Sequence, residues 1–302
     1  MELRNYLSIL NDEKYAKYLK IDRKELENLM EKAKNLATKC SLCERRCGIN
    51  RFAEEKGECR APNYLLISSE FLHWGEEPFL IPSHTIFFMG CNFHCCYCQN
   101  WSISQWFEKG TRVSAEKLAN IIKIRKLQGA KNVNFVGGDP TPYLPWILEV
   151  LVELKKLNVN TPIVWNSNFY MSSESMAILN EIIDFWLPDF KYGNNECAEK
   201  YSKVKNYFDI ITRNLKAADL KCADMCIRHL VLPGHIECCS FPILEWIAKN
   251  LGKKVVINIM DQYRPEYKVL EGGYPELNRR VSKEELRKVI KKAKELGLNF
   301  FV

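Results

Sequence analysis

The sequence lacks several features that would mark it as something other than an ordinary folded protein. Its 302 residues contain no run of about 18 uncharged apolar residues, the length at which a membrane-spanning helix becomes a candidate. The first residues, Met1 to Asn5, lack the pattern of a signal peptide. No glutamine-rich, glycine/serine-rich or repeated segment is present, so neither a solenoid nor a flexible tether is predicted. We therefore expect a cytoplasmic protein that has no membrane partner.

The composition is that of a globular chain, with 47% hydrophobic and 27% charged residues. Its net charge of +7 is spread over lysine-rich segments such as 117–126 and 283–294 and is not concentrated in one basic tail. A dispersed charge favours solubility and gives little support for nucleic-acid binding, which we do not expect. The length allows one large domain or two ordinary ones.

Cysteine, in contrast, is abundant, with 13 residues in the chain. Without an export signal, so many cysteines indicate metal or redox chemistry in a reducing compartment and not disulfides. Cys91, Cys95 and Cys98 are spaced CxxxCxxC directly after the apolar stretch 84–89. Three thiolates can bind three irons of a four-iron cluster and leave the fourth iron without a protein ligand. A substrate or cofactor could then supply the missing ligand.

This motif, with an aromatic residue before its last cysteine, resembles the signature of the radical S-adenosylmethionine (SAM) enzymes. The resemblance extends through CNFHCCYCQN, residues 91–100, to the pyruvate formate-lyase activating enzymes. It implies a 4Fe-4S cluster on the three cysteines, SAM at the open iron and a partial, TIM-like (β/α)6 barrel. A zinc knuckle and a group of buried thiols are the alternatives, although zinc prefers four ligands in two CxxC-like pairs. Cys96 does not fit the spacing, and we interpret it as a packed thiol.

From residue 114 onward, helical patterns alternate with short strand patterns. Ser114 and Gly129 are suited to begin and end a helix, and the strand pattern 132–136 follows. About six such units predict right-handed crossovers, a parallel sheet and a partial α/β barrel, the architecture that the resemblance also implies. We expect this barrel to span residues 76–302, after an extension, 1–75, with one or two helices and a cysteine-rich segment.

Polar or glycine-rich segments follow the predicted strands of the barrel. Catalytic groups of α/β barrels collect at the carboxyl ends of the strands, so these segments should meet at one mouth. In chain order they are the cysteine motif, Gly137-Gly138-Asp139, Asn166-Ser167-Asn168, Asp189-Phe190-Lys191, Pro233-Gly234-His235 and the polar run 260–265.

The resemblance implies SAM contacts for several of these residues. Gly137, Gly138 and Asp139 match the GGE-like motif that binds the amino group of SAM, with aspartate where many relatives have glutamate. Asp189 and Lys191 match the DxK element of the activating enzymes, which contacts the ribose and the carboxylate. Alternate residues of a strand point to the same side, so both side chains can face the mouth.

Other polar residues of these segments have two interpretations each. Tyr97 has the position of the aromatic residue that packs near adenine, but a core tyrosine would look the same. Asn166, Ser167 and Asn168 offer hydrogen bonds to a ribose or carboxylate, or belong to a helix cap. Further candidates for holding the substrate or the methionine portion of SAM are Arg228, His229, His235, Gln262, Tyr263 and Arg264. For the two histidines, a structural role explains their presence equally well.

A second group of cysteines, Cys40, Cys43, Cys47 and Cys59, precedes the barrel. Four thiolates can close a tetrahedral zinc site or hold an additional iron-sulfur cluster. The unequal spacing slightly favours the cluster, and binding of no metal is the third alternative. Some activating enzymes carry extra clusters after the SAM motif, but these cysteines precede it, so that role does not transfer.

The resemblance implies an enzyme in which the reduced cluster cleaves SAM and a 5'-deoxyadenosyl radical abstracts hydrogen from a substrate. It also implies an electron donor such as flavodoxin or ferredoxin. The substrate is a glycine of a partner protein, as for the activating enzymes, or a different macromolecule or small molecule. The alternative class, a non-catalytic electron-transfer or zinc-stabilised binding protein, leaves Gly137, Asp189 and Lys191 unexplained.

Overall fold

A nine-stranded sheet forms the centre of the structure, a computed structural model that describes residues 3–302. Its strands are β1 (Leu66–His73), β2 (Ser83–Phe88), β3 (Thr111–Arg112), β4 (Asn132–Gly137), β5 (Ile163–Ser167), β6 (Phe185–Pro188), β7 (Asp224–Leu230), β8 (Val256–Met260) and β9 (Phe300–Phe301). Their order across the sheet is β3-β1-β2-β4-β5-β6-β7-β8-β9. β2 and β4 to β9 run parallel, whereas β1 is antiparallel to β2 and β3. The predicted partial α/β barrel is confirmed, with β2 and β4 to β8 as its six site-bearing strands.

The first three helices precede the sheet, and the later ones lie between its strands. The helices are α1 (Arg4–Leu10), α2 (Lys17–Lys20), α3 (Arg23–Thr38), α4 (Trp101–Ser104), α5 (Ala115–Leu127), α6 (Leu144–Lys156), α7 (Ser173–Ile182), α8 (Asn195–Ser202), α9 (Tyr207–Ala217), α10 (Phe241–Asn250) and α11 (Lys283–Glu295). Ser114 caps α5 by accepting from the N–H of Lys117 at 3.2 Å, and Gly129 follows its end with a φ of +99°. These residues satisfy backbone groups that lack a partner within the helix, which fixes the helix ends.

The inside of the barrel changes from apolar to polar along the strands. At the amino end, Tyr6 of α1 packs against Phe185 with ring centroids 5.3 Å apart. Both belong to a buried cluster comprising Leu3, Tyr6, Leu80, Val164, Phe185, Leu187, Cys226 and Val256. Two positions further along three of these strands come Asn166, Arg228 and Asn258, whose side chains point to the same side. Polar groups therefore line the barrel toward its carboxyl end.

The N-terminal segment packs against the barrel. α3 contacts α6, and β1 extends the sheet beside β2. The predicted domain boundary at residue 75 stays a prediction. α1 and α8 were not predicted, because each is short and neither has a clear apolar periodicity. No helix within residues 3–302 combines the length and the apolar character that a membrane crossing needs.

Candidate functional site

A cavity of about 270 Å³ opens at the carboxyl ends of the parallel strands. Its lining residues come from segments that follow six different strands, as the barrel rule predicts. They are Cys91, Phe93, Cys95, Tyr97, Cys98, Gln99, Asn100, Val136, Gly137, Gly138, Asn166, Ser167, Asn168, Asp189, Lys191, Arg228, Leu230, Met260 and Gln262. The sequence-predicted SAM residues are therefore together at this mouth, with the exception of Asp139.

Each cysteine of the CxxxCxxC motif has a hydrogen-bonding group near its sulfur. The N–H of Phe93 donates to Cys91 Sγ at 3.3 Å, while Ser202 Oγ lies 3.0 Å from Cys95 Sγ and Ser104 Oγ lies 3.2 Å from Cys98 Sγ. Hydrogen bonds to sulfur are one of the means by which proteins tune iron-sulfur clusters.

Cys96 is separated from the three motif cysteines. It is buried, with 1% exposure, and does not line the cavity. Its backbone N–H donates to the carbonyl oxygen of Tyr201 at 2.8 Å. This position agrees with its interpretation as a packed thiol.

The Gly137-Gly138 turn lies directly against the start of the cysteine loop. A Cβ added to Gly138 would be 1.8 Å from the carbonyl oxygen of Gly90, and one added to Gly137 would be 2.0 Å from the backbone nitrogen of Phe88. Gly137 also has a φ of +117°, which side chains rarely tolerate. The sequence predicted a close approach of this turn to a ligand; the close approach in the structure is to the backbone that leads into Cys91.

Asp139 turns away from the cavity. Its two carboxylate oxygens accept from the N–H groups of Thr141 and Asn168, both at 2.9 Å. Burial raises the pKa of Asp139 to about 6. In this position Asp139 holds the loops after β4 and β5 together, and the SAM contact implied by the resemblance stays a prediction.

The end of β5 and the loop after it present amide groups to the cysteine loop and to the cavity. Asn168 Nδ2 donates to Asn92 Oδ1 at 2.5 Å and lies 3.8 Å from Cys91 Sγ. Asn166 Nδ2 is buried, lines the cavity and has no hydrogen-bond partner among the described residues. A buried donor without a partner is costly, so it favours a ligand in the cavity. The following helix, α7, is capped by Ser172 and not by these residues.

Asp189 and Lys191 form an ion pair at the mouth, and both side chains line the cavity. Burial would lower the pKa of Lys191, but the negative charge of Asp189, with a smaller contribution from Cys95, outweighs burial and raises it. The ammonium group therefore stays charged beside the cysteines, where it can attract a carboxylate.

A chain of hydroxyl groups runs from Tyr97 to the sulfur atom of Cys95. Tyr97 Oη lies 2.6 Å from Tyr192 Oη, which lies 2.6 Å from Ser202 Oγ, the group beside Cys95. Tyr97 is 4% exposed and packs edge-on against Tyr263. These contacts fix the orientation of its ring at the cavity wall.

Arg228 links the cavity to a buried acidic pair below it. Its Nε and Nη2 donate to the two carboxylate oxygens of Glu77 at 2.7 and 2.8 Å, and Nη2 also bonds Glu76. Asn258 Nδ2 donates to Glu77 at 2.9 Å. Burial alone would raise the pKa of Glu76, but the charge of Arg228 lowers it to about 2. This network explains why the turn before β2 carries two consecutive glutamates.

Replacing Arg228 with methionine is expected to lower the free energy of unfolding by about 3 to 5 kcal/mol, because two buried carboxylates lose their counter-charge. The matched control is Arg264→Met, which breaks the Arg264–Glu266 pair; the Arg264 side chain is 55% exposed, so the loss should stay below about 1 kcal/mol. Urea denaturation of both variants checks this. Equal decreases in the free energy of unfolding would show that the Arg228 network stabilises the protein no more than a surface ion pair does.

The two histidine candidates have structural partners on both ring nitrogens. His229 contacts the carbonyl oxygen of Phe190 at 2.9 Å and Ser240 Oγ at 2.8 Å. His235 contacts the carbonyl oxygen of Pro233 at 2.7 Å and Tyr201 Oη at 2.9 Å. Neither lines the cavity, so both favour the structural interpretation.

Of the run 260–265, Met260 and Gln262 line the cavity, while Tyr263 and Arg264 serve other roles. Tyr263 is buried and donates to the carbonyl oxygen of Leu277 at 2.8 Å. Arg264 is exposed and pairs with Glu266 at 3.2 Å. Only part of this distinctive segment therefore reaches the site.

The four N-terminal cysteines surround one small pocket beside the cysteine loop. Cys40, Cys43 and Cys59 are buried, and Cys47 is exposed. Within the described part of the chain, no three of these four sulfur atoms lie within 4.8 Å of one another. Sulfurs bound tetrahedrally to one zinc ion at about 2.3 Å lie about 3.8 Å apart. Any three of these four sulfurs therefore include at least one pair that lies farther apart than this.

Arg51 also lines this pocket, with an exposure of 1%. Its guanidinium donates to the carbonyl oxygens of Pro142, of Ala61 at 3.0 Å and of Pro62 at 2.6 Å. All its hydrogen-bond partners within residues 3–302 are thus neutral. A buried positive charge with neutral partners favours a negatively charged group nearby, such as metal-bound thiolates.

Sequence reasoning did not identify Ser202, Ser104 and Tyr192 as neighbours of the motif. Ser202 lies 107 residues beyond Cys95 in the chain, and its contact depends on the unpredicted helix α8. Ser104 is only six residues from Cys98, but a serine at that distance has no distinctive pattern. The pairing of Glu76 and Glu77 with Arg228 was not predicted either, since residues 76 and 77 lie 151 or more positions from Arg228 in the chain.

Comparison by sequence finds relatives across the whole chain. The sequence model of the Radical SAM superfamily matches residues 85–247. The uncharacterized protein MJ0674 of Methanocaldococcus jannaschii is 49% identical over 295 residues, which cover 96% of this chain and 82% of that protein. The pyruvate formate-lyase-activating enzyme of Staphylococcus aureus is 25% identical over 164 residues, covering 51% of this chain and 63% of that enzyme.

Comparison by structure finds a similar fold in Streptococcus suis SuiB bound to S-adenosylmethionine. The TM-score is 0.52 at 17% sequence identity, over 70% of this chain and 48% of SuiB. At this identity the likeness concerns the fold alone. The chain spans about half the length of SuiB and less than two thirds of the activating enzyme.

Proposed function

Because the chain belongs to the radical SAM superfamily, we propose that Cys91, Cys95 and Cys98 hold a 4Fe-4S cluster and that SAM binds in the cavity beside them. One observation carries this proposal. The CxxxCxxC motif meets polar segments from five other strands around a single cavity of about 270 Å³. A non-catalytic metal protein has no need for that convergence.

The cavity lining fits a cluster with one open iron. Among the described residues that line it, only the three motif cysteines offer thiolates, and no histidine or fourth cysteine is present. Four protein ligands would be expected of a cluster that only transfers electrons. The missing fourth ligand therefore supports an external ligand such as SAM.

The other lining residues are suited to the separate parts of SAM. The charged ammonium of Lys191 can pair with the carboxylate, and the unpartnered Nδ2 of Asn166 can donate to a polar oxygen. Tyr97, held by Tyr192, offers a fixed aromatic surface for the adenine. These residues orient the cofactor and exclude water from it.

When bound, the cluster and SAM supply the reductive cleavage that yields a 5'-deoxyadenosyl radical for hydrogen abstraction. We propose flavodoxin or ferredoxin as the class of electron donor. Similarity to a pyruvate formate-lyase-activating enzyme supports a partner protein as the substrate. A small-molecule substrate is the alternative. The two are distinguished by incubating the enzyme with deuterated candidate proteins, because deuterium appears in 5'-deoxyadenosine only if the protein is the substrate.

The test is an anaerobic assay of the iron-reconstituted protein with SAM and dithionite. We expect 5'-deoxyadenosine to form only when both the cluster and the reductant are present. An unreduced sample with the same iron content is the control. If the protein carries a complete, reduced cluster and still forms no 5'-deoxyadenosine from SAM, the result would favour the electron-carrier alternative.

We further propose that Cys40, Cys43, Cys47 and Cys59 hold a second iron-sulfur cluster and not zinc. One observation supports this choice: no three of the four sulfurs lie as close together as one tetrahedral ion requires. Buried Arg51, with its neutral partners, supports a negatively charged metal site of either kind. The iron and zinc contents of a Cys43→Ser variant, compared with those of Cys222→Ser, test it. Loss of zinc instead of iron would overturn the assignment.

A further inference from the structure

Three other cysteines lie together outside the cavity. The sulfur atoms of Cys197, Cys238 and Cys239 all lie within 4.8 Å of one another. Cys197 is in the first turn of α8, which follows β6, and the other two are in the π-helical turn Ile236–Ser240, which follows β7. Within residues 3–302, no other three histidine, cysteine, aspartate or glutamate side chains meet this closely.

The backbone around these cysteines is built to hold the two segments together. Asn194 Oδ1 accepts from the N–H of Cys197 at 2.8 Å, and its Nδ2 donates to the carbonyl oxygen of Cys238 at 2.7 Å. A Cβ added to Gly193 would be 2.6 Å from the carbonyl oxygen of Cys239. Single π-helical turns are rare and occur frequently at functional sites. The hydrogen bonds of Asn194 and the close approach of Gly193 thus hold the three cysteines together.

We propose that Cys197, Cys238 and Cys239 bind one thiophilic metal ion of the zinc class. A tetrahedral zinc ion bound at about 2.3 Å holds its sulfurs about 3.8 Å apart. The sulfurs of Cys238 and Cys239 are 3.9 Å apart. A cubane cluster is a poorer fit, because its thiolates bind different irons and lie farther from one another.

The fourth ligand comes from solvent. The histidine of this turn, His235, already uses both ring nitrogens, for the carbonyl oxygen of Pro233 and for Tyr201 Oη. Cys238 is exposed, so the open side of the group faces water. Three protein ligands and one water complete a tetrahedral set around zinc.

The site lies on the helix that supports the cysteine motif. α8 begins beside Cys197 and ends at Ser202, whose hydroxyl lies 3.0 Å from Cys95 Sγ. A metal bound at its first turn fixes α8 to the turn after β7 and so positions Ser202. We infer that this ion is a positioning element for the candidate active site.

The test uses the full-length protein, stripped of metal and kept anaerobic, and titrates it with cobalt(II), a spectroscopic substitute for zinc. The parent protein should bind one more equivalent of cobalt than Cys197→Ser or Cys239→Ser. Its thiolate-to-cobalt charge-transfer absorption should exceed that of both variants by the contribution of this equivalent, because the other cysteine sites are the same in all three proteins. The exposed Cys222 is a matched control, and Cys222→Ser should titrate like the parent. The parent and the variants bind the same amount of cobalt at the N-terminal cysteines, so this cobalt does not contribute to the difference between them.

Two results would overturn the proposal. One is equal cobalt binding by the parent and the Cys197→Ser variant. The other is a Cys197–Cys239 disulfide, found by mass mapping of protein isolated anaerobically without reductant. Neither SAM nor dithionite enters the experiment, so its failure leaves the proposed radical chemistry untouched.

Discussion

Replacing Cys95 with alanine should reduce 5'-deoxyadenosine formation by more than about 100-fold. Loss of groups that only support a metal ligand costs about 10- to 100-fold, so loss of a ligand itself should cost more. The neighbouring Cys96→Ala variant is the matched control, because Cys96 is equally a buried thiol of this loop but does not line the cavity. We expect Cys96→Ala to retain most of the activity. The measurement is product formed per protein under anaerobic reduction.

The comparison separates ligation from packing. If Cys95→Ala and Cys96→Ala lose activity to the same extent, removing any buried sulfur from this loop disturbs it equally. The proposal that Cys95 is one of three cluster ligands would then be without support. Iron content gives a second readout, since only Cys95→Ala should fail to retain a stable cluster at the barrel mouth.

Gly138→Ala is expected to destabilise the protein by more than about 4 kcal/mol, the range reached by only a few kinds of substitution. The added methyl group would be 1.8 Å from the carbonyl oxygen of Gly90 and 3.2 Å from the backbone nitrogen of Cys91. Neither backbone segment can move without displacing the cysteine loop. The cluster should therefore fail to incorporate even where the variant still folds.

Gly273→Ala is the matched control for this prediction. Neither Gly138 nor Gly273 has a positive φ, and the nearest atom to a Cβ at Gly273 is the carbonyl oxygen of Lys268, 4.0 Å away. The added methyl group thus has space at Gly273 and none at Gly138, and Gly273→Ala should change the free energy of unfolding by less than about 0.5 kcal/mol. Equal denaturation midpoints would refute the close approach of Gly138 to Gly90.

Much of the fold could be predicted because local patterns determine it. Capping residues such as Ser114 and Ser282 begin helices, and the alternation of helices with short apolar strands leads to a parallel sheet. The residues of the mouth were predictable for the same reason, since the carboxyl ends of parallel strands meet at one edge.

Contacts between distant parts of the chain could not be predicted in this way. Cys197 approaches Cys238 and Cys239 only because α8 and the π-helical turn lie side by side, and neither element has a strong sequence signal. The direction of Asp139 was equally hidden, because a carboxylate after two glycines can face a ligand or backbone amides with the same sequence.

The central claim is that the iron left without a protein ligand accepts SAM. Its most direct test is the electron paramagnetic resonance spectrum of the reduced, reconstituted protein before and after SAM is added. We predict that SAM changes the cluster signal of the parent protein and of Cys96→Ala. A signal that SAM leaves unchanged, in a protein whose reduced cluster is fully occupied, would contradict the account.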